Sequence, residues 1–238
     1  MIKTVWIDNP PMNTIGGAVI GHLWDELERL GDARVVVLRG VGDRAFSAGA
    51  DIGGFGSFDE GESTRPRGVQ PLADLLESLD VPVVAAIHGY CLGGGLELAL
   101  GCDFRVAQAD SQLGFPEVNL GLLPGGGGTQ RTPRLTGPSR AAWLVMSGQR
   151  IPAKQAEGWG LVDFVVDDLE AGIEQVAGAL AKQSPHALRV IKRLLRETRY
   201  ERDDEKEFAG FLECLSSEDG QEGVAAFFEK REPGWTGR

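Results

Sequence analysis

The sequence predicts an α/β fold with a largely parallel sheet and an all-helical C-terminal segment. Three observations carry that expectation. Through the first two thirds of the chain, short apolar runs that read as buried strands alternate with segments whose apolar residues recur at helical spacing. A glycine triplet, Gly93-Gly94-Gly95, separates one such run from one such helix. Past Pro185 the strand-like runs stop, and apolar residues recur only at helical spacing among many charges.

Residues 4–7 read as the first strand, which Asn9-Pro10-Pro11 ends. Ile20, Leu23, Trp24, Leu27 and Leu30 then mark a helix that Gly31 stops, and Val35-Val36-Val37-Leu38 is a second strand. Strand, helix and strand within so short a stretch is the sign of a parallel α/β layer. Residues 53–70 are glycine-rich and polar without periodicity, which predicts a lid or a disordered loop over a substrate. Leu72, Leu75, Leu76 and Leu79 mark a helix leading into the apolar run at residues 83–87. Residues 104–107 and 113–115 read as strands, residues 140–146 and 153–157 as helices, and residues 161–166 as a strand. Ile173, Val176, Ala177 and Leu180 open the helical part. Three apolar stripes follow: Leu188, Ile191, Leu194 and Leu195; Phe208, Phe211, Leu212 and Leu215; Val224, Phe227 and Phe228. Those faces must cover either the main body or a neighbouring subunit.

With 238 residues, 42% hydrophobic and 25% charged, the chain has the composition of a soluble globular protein and the length for one large domain with a substantial core, or for one domain with a helical appendage. Its net charge of -11 speaks against nucleic acid or an anionic membrane as a partner, since phosphate binding needs a positive footprint. Cys91, Cys102 and Cys214 are odd in number and widely spaced, so neither a disulfide framework nor a zinc site is expected. The N-terminal residues lack an apolar signal core, which makes a cytoplasmic location the expectation.

Residues 83–99 hold the chemistry. A buried strand, a glycine turn and a helix start leave backbone N–H groups unpaired and unshielded, which suits an oxygen that carries negative charge. Glu97 lies in the same first turn. A carboxylate there suits acid–base work on a neutral substrate better than phosphate binding. Packing alone explains glycines at such a turn, and the helix dipole alone favours an acidic first-turn residue, so this stretch by itself fits either role. Neither a dinucleotide fingerprint nor a P-loop is present. Small residues also follow the second strand, at Phe46-Ser47-Ala48-Gly49-Ala50-Asp51. Ser47 is no nucleophile candidate, because none of His22, His88 and His186 has the sequence context of its base. A second glycine turn, Gly125-Gly126-Gly127-Gly128, opens another helix with Glu117 upstream, so a second helix N-terminus can face the same cavity. Asp103 reads as a structural charge.

Ala48-Gly49-Ala50-Asp51, Gly93-Gly94-Gly95-Leu96-Glu97, Pro116-Glu117 and residues 121–131, read together, resemble the enoyl-CoA hydratase/isomerase family, the crotonases. The similarity runs from Pro11-Met12-Asn13 to Glu229-Lys230-Arg231. It implies a crotonase-like superhelix of ββα turns over residues 1–184 and a helical trimerisation region over residues 185–238. It implies an oxyanion hole at the backbone N–H groups of Ala48 and Gly94, and two hydratase carboxylates at Glu97 and Glu117. Gly49, Ala50, Asp51, Gly125 and Lys230 fall at substrate-binding positions, with Lys230 where relatives can reach the CoA adenine or 3′-phosphate. Gly53-Gly54 stands where many relatives carry lysine or other long polar residues.

The implied activity is enoyl-CoA hydration, syn addition of water to a 2-enoyl thioester. The alternatives are an isomerase, or another crotonase-fold lyase or hydrolase acting on acyl-CoA. Isomerases of the family usually keep a carboxylate only at the position of Glu117. A non-enzymatic RNA-binding role is disfavoured by the acidic balance. No metal or organic cofactor is expected beyond the CoA of the substrate, and the implied assembly is a homotrimer or a dimer of trimers. The chemistry agrees with the resemblance: adding water across a conjugated double bond needs one base and one acid around one water. Two carboxyl groups sharing a site settle naturally with one proton between them.

Overall fold

A computed structural model of the chain describes residues 1–51, 68–198 and 203–238, apart from the side chain of Asp204. Residues 53–67 of the expected lid, the Gly53-Gly54 position included, lie outside the described residues; Gly68 precedes a helix to which Val69 and Gln70 already belong.

Two sheets form the body. The larger has five parallel strands in the order β1 (Ile2–Ile7), β2 (Val35–Gly40), β4 (Val83–Ile87), β6 (Phe104–Gln108) and β9 (Phe164–Val166). Its central strand β4 is buried at every residue, as a continuous Val-Val-Ala-Ala-Ile run in a parallel sheet must be. The smaller sheet orders β3 (Ala45–Ser47), β5 (Tyr90–Leu92), β7 (Gln112–Gly114) and β8 (Arg150–Pro152), with only β8 antiparallel. Chain turns at residues 41–44, 88–89 and 109–111 carry a strand of the first sheet into a strand of the second. The three parallel strands of the smaller sheet therefore end side by side, and the segments that leave them meet.

Helices α1 (Gly17–Glu28) and α2 (Val69–Ser78) bury Val19, Leu23 and Leu27, and Leu72, Ala73 and Leu76, at the spacing of one helical face. Packed on α2 and on strands β3 and β5 of the smaller sheet runs α3 (Gly94–Gly101), in which every residue is buried. Such a helix needs apolar residues all round, and Glu97 is its exception. A Cβ at Gly101 would stand 2.7 Å from the Ala73 carbonyl oxygen, so the glycine lets α2 and α3 touch closely. Beyond lie a 3-10 helix over Pro116–Leu120, then α4 (Gly128–Thr136), α5 (Pro138–Ser147) and α6 (Ala153–Gly158). Leu161, Val162 and Asp163, expected in a strand, precede β9 instead, and Asp163 accepts hydrogen bonds from the Arg105 backbone at 2.7 Å and guanidinium at 2.6 Å.

A helical stretch from α7 (Leu169–Ile173) through α8 (Ala179–Ala181), with a π-helical turn between them, leads to α9 (Pro185–Glu197), α10 (Asp204–Ser216) and α11 (Glu218–Glu229). Lys192 of α9 is buried against the body, its Nζ donating to Leu76 O, Val81 O and Asp103 Oδ2 at 3.0, 3.0 and 2.7 Å. Asp103 is thus the structural charge expected. The outer faces of α10 and α11 stay open, with Phe227 78% and Phe228 77% exposed. No helix among the described residues is long and apolar enough to cross a membrane.

Candidate active site

The segments leaving β3, β5 and β7 converge because glycines let them. Gly93, with φ +50°, turns the chain from β5 into α3, and a Cβ there would stand 2.6 Å from Glu117 Oε1. Any side chain at this position would therefore both strain the backbone and evict the carboxyl group. A Cβ at Gly95 would stand 2.5 Å from the Ser47 carbonyl oxygen, so the end of β3 lies directly on α3. Gly93 N–H donates to Gly114 O at 2.9 Å, which ties the same turn to β7.

This closure leaves two backbone donors free beside each other. Ile15 N–H donates to Gly49 O and Asp51 N–H to Ile15 O, so the bridge between Ile15 and Ala50 uses Ala50's neighbours and turns its own N–H the other way. Gly94 is the first residue of α3, where an N–H has no partner within its helix. Among the described residues neither Ala50 N–H nor Gly94 N–H has a hydrogen-bond partner. They are neighbours: a Cβ on Gly94 would lie 3.4 Å from Ala50 N, and one on Gly49 3.5 Å from Gly94 N.

The expected donor at Ala48 is corrected by this arrangement. Ala48 N–H donates to Met12 O at 2.9 Å and is not available to a ligand, whereas Ala50 N–H is. The Ser47 hydroxyl accepts from Gly49 N–H at 3.2 Å, a contact that holds the turn. Of the other expected binding positions, Gly49 forms the wall of the turn at φ +105°, and Asp51 and Gly125 are exposed. Lys230 is an exposed residue ending α11, and no contact among the described residues joins it to this site.

Glu97 lies in the first turn of the helix that Gly94 opens, and Glu117 lies against Gly93. Glu97 is 2% exposed, and its Oε1 accepts from Gly126 N–H at 2.6 Å and Gly128 N–H at 2.8 Å. Gly128 opens α4, so the carboxylate also faces a helix N-terminus. Burial pushes its pKa up, while the two N–H donors and the positive charge of Arg131 pull against that rise. A Cβ at Gly126 would stand 2.5 Å from Glu97 Oε2, which is why the turn must be bare where it passes the carboxylate.

Glu117 sits in the first turn of the 3-10 helix, and its buried Oε2 has no hydrogen-bond partner among the described residues. Its pKa is pushed up to about 7, chiefly by burial, with its own backbone N–H opposing and the nearby Glu97 adding to the rise. The donors around Glu97 thus favour its ionised form against the effect of burial, whereas Glu117 is fitted to hold a proton near neutrality. Such a pair, beside two N–H groups open to an oxygen, can take a proton from one atom and give one to another while charge develops on a third.

Sequence reasoning missed Gly126 and Gly128 as the donors to Glu97, and Arg131 behind them, because only the fold shows which N–H of a four-glycine run points where. Among the described residues no cluster of three His, Cys, Asp or Glu side chains could hold a metal ion.

Known proteins share this architecture. The enoyl-CoA hydratase/isomerase family pattern matches residues 1–238. A Bacillus subtilis (strain 168) protein described as "Probable enoyl-CoA hydratase" is 40% identical, over 99% of this chain and 95% of its own length. The "Crotonyl-CoA hydratase" of Syntrophomonas wolfei subsp. wolfei is 35% identical over 97% of this chain and 92% of its own. The crystal structure of an enoyl-CoA hydratase from Bacillus anthracis superposes with a TM-score of 0.91 at 34% identity, covering 100% of this chain and 96% of that one.

Proposed function

The chain belongs to the enoyl-CoA hydratase/isomerase family, and we propose that within it the protein is an enoyl-CoA hydratase. The reaction is the syn addition of water to a 2-enoyl-CoA thioester, giving the 3-hydroxyacyl-CoA. The observation that carries this reading is the unequal pair: Glu97 held by two N–H donors, and half-buried Glu117 with a buried oxygen that has no hydrogen-bond partner among the described residues. The names of the relatives above support it.

Glu97 is the base. Its ionised oxygen takes a proton from water as the water oxygen bonds to C3. Electrons of the C2–C3 double bond move onto the thioester oxygen, where the N–H groups of Ala50 and Gly94 face the negative charge. Glu117, protonated below pH about 7, gives its proton to C2 as the carbonyl re-forms. Both carboxyl groups act on the same face of the double bond, which makes the addition syn. Proton transfer between C2 and C4 of an isomerase needs a single group in two protonation states and gives Glu97 no part. The chemistry uses no metal or organic cofactor.

The test is loss of the conjugated-enoyl absorbance of crotonyl-CoA and of a longer 2-enoyl-CoA, followed against pH. Hydration with kcat/KM falling above pH about 7, as Glu117 loses its proton, is the expected result. Double-bond migration of a 3-enoyl-CoA without hydration of either substrate would overturn it.

The same reading extends to assembly. Open faces on α10 and α11, with Phe208, Phe211, Phe227 and Phe228 exposed, fit the contact between copies of a homotrimer or a dimer of trimers, in the cytoplasm. Sedimentation of a monomer at micromolar concentration would exclude it.

A further inference from the structure

We propose that Arg131 is a positioning residue of this site, holding the Gly126–Gly128 turn so that two backbone N–H groups converge on one oxygen of Glu97. The role in catalysis rests on the hydratase reading, but the positioning does not.

Arg131 lies in the first turn of α4 and is buried. Its guanidinium makes three bonds in three directions: Nε donates to Glu77 Oε1 at 2.9 Å, Nη2 to Asp74 Oδ1 at 2.5 Å, and Nη1 to Gly126 O at 3.0 Å. The two carboxylates belong to α2, so the first two bonds alone would make an ordinary strut between α2 and α4. The third goes to the carbonyl of the peptide linking Gly126 to Gly127. That planar unit sits between the two peptides whose N–H groups face Glu97, so fixing its carbonyl fixes the pitch of both donors. The turn is built around the guanidinium as well. Gly127 has φ +103°, and a Cβ there would overlap Arg131 Nη1. The rigid, planar fork that reaches three acceptors at once is a property of arginine that lysine lacks.

The guanidinium also bears on charge. Around Glu97, the Gly126 and Gly128 donors and Arg131 favour the ionised form, and Glu117 faces it from the 3-10 helix. Arg131 in turn faces Asp74 and Glu77. Both of those carboxylates reach solvent, Asp74 57% and Glu77 18% exposed, so removing the guanidinium leaves no sealed orphan charge and the fold should survive.

The experiment compares wild type with Arg131→Gln and Arg131→Lys by infrared pH titration of the unliganded protein. The Glu97 carboxyl band is assigned as the one missing from Glu97→Gln. Without the guanidinium the band should titrate at higher pH, because a cation and well-aimed donors favour the carboxylate. Arg131→Lys, which keeps the charge but not the fork, should fall between. In crotonyl-CoA hydration kcat should drop about 10- to 100-fold in Arg131→Gln while KM stays within about twofold, since misplacing a reacting group costs rate rather than binding. Should Arg131→Gln not fold, Arg131→Lys alone carries the test, and its Glu97 band should titrate above that of wild type with a lower kcat. A Glu97 band that titrates as in wild type in a folded variant, or a kcat equal to that of an active wild type, overturns the proposal. A shifted band in a protein that hydrates no enoyl-CoA leaves the positioning standing and removes the hydratase reading instead.

Discussion

The region around Glu97 and the region around Glu117 present the same functional group in opposite ways. Glu97 stands on a fully buried helix and meets two N–H donors, a helix start and an arginine; Glu117 stands on a single 3-10 turn and meets a glycine, with one oxygen unpartnered among the described residues. Burial raises the pKa of both, so it does not distinguish them. Hydrogen bonding does. Donors aimed at an oxygen offset much of the cost of burying its charge, and a carboxyl group without them keeps its proton instead. Roles in acid–base chemistry are therefore written in where the backbone N–H groups point, not in the identity of the residue.

The largest effect should come from removing either carboxyl group. On the hydratase reading Glu97→Gln deletes the base, and Glu117→Gln replaces the donor acid with an amide of similar shape, so hydration should fall by about 10²-fold or more in each. Because the two act in one step, the double variant should be far less damaged than the product of the two losses. Substrate affinity should survive in all three, since Ala50 and Gly94 are untouched. Near wild-type hydration by Glu97→Gln would make Glu97 merely a helix-start residue and dissolve the contrast.

A smaller effect is expected from crowding each carboxyl group without removing it. Gly126→Ala would place a Cβ 2.5 Å from Glu97 Oε2 and 2.6 Å from Val69 Cγ1, so the base and the start of α2 must both shift. Gly93→Ala would place one 2.6 Å from Glu117 Oε1 at a φ that alanine rarely adopts. Both should lower kcat about tenfold or more through misplacement. Gly93→Ala should cost the more stability of the two, by an extra amount on the order of 1 kcal/mol, because it strains the backbone as well as crowding a side chain. Equal unfolding midpoints for the two variants in urea would contradict that assignment.

The elements legible in the sequence are those long enough to show a period. Helices α1 and α2, the strand β4 and the stripes of α9, α10 and α11 follow from spacing alone. Strands β3, β5, β7 and β8 have three residues each, too few for alternation to register, and of these only β7 is visible in the sequence, displaced by one residue. That matters for the site, because the smaller sheet brings its parts together. Glu97 and Glu117 can be named from motif order, whereas the choice between Ala48 and Ala50 cannot. It depends on Met12, whose carbonyl engages Ala48 N–H across the fold, and nothing local to either alanine records that bond.

The smallest effect is on stability, and its sign follows from Glu117 alone. Its carboxyl holds a proton up to pH about 7 in the folded protein, above the ordinary 4.5. Between those values the folded chain binds a proton that the unfolded chain has released, so stability contributed by that proton is complete below about 4.5 and is lost as pH rises through about 7. Above that the contribution is flat, with an ionised group whose Oε2 meets no donor among the described residues. The amide introduced by Glu117→Gln binds no proton in either state. Thermal unfolding of Glu117→Gln and wild type should therefore differ least near pH 4.5, with the variant gaining relative to wild type as pH rises toward 7 and holding that gain at pH 8. The Glu97 carboxyl is raised as well, so Glu97→Gln should gain in the same direction, but by less, because Gly126 N–H, Gly128 N–H and the charge of Arg131 oppose that rise and the amide is a weaker acceptor for the two donors. If both variants gained equally with pH, the two carboxyl groups would be alike, and the unequal pair on which the hydratase reading depends would not exist.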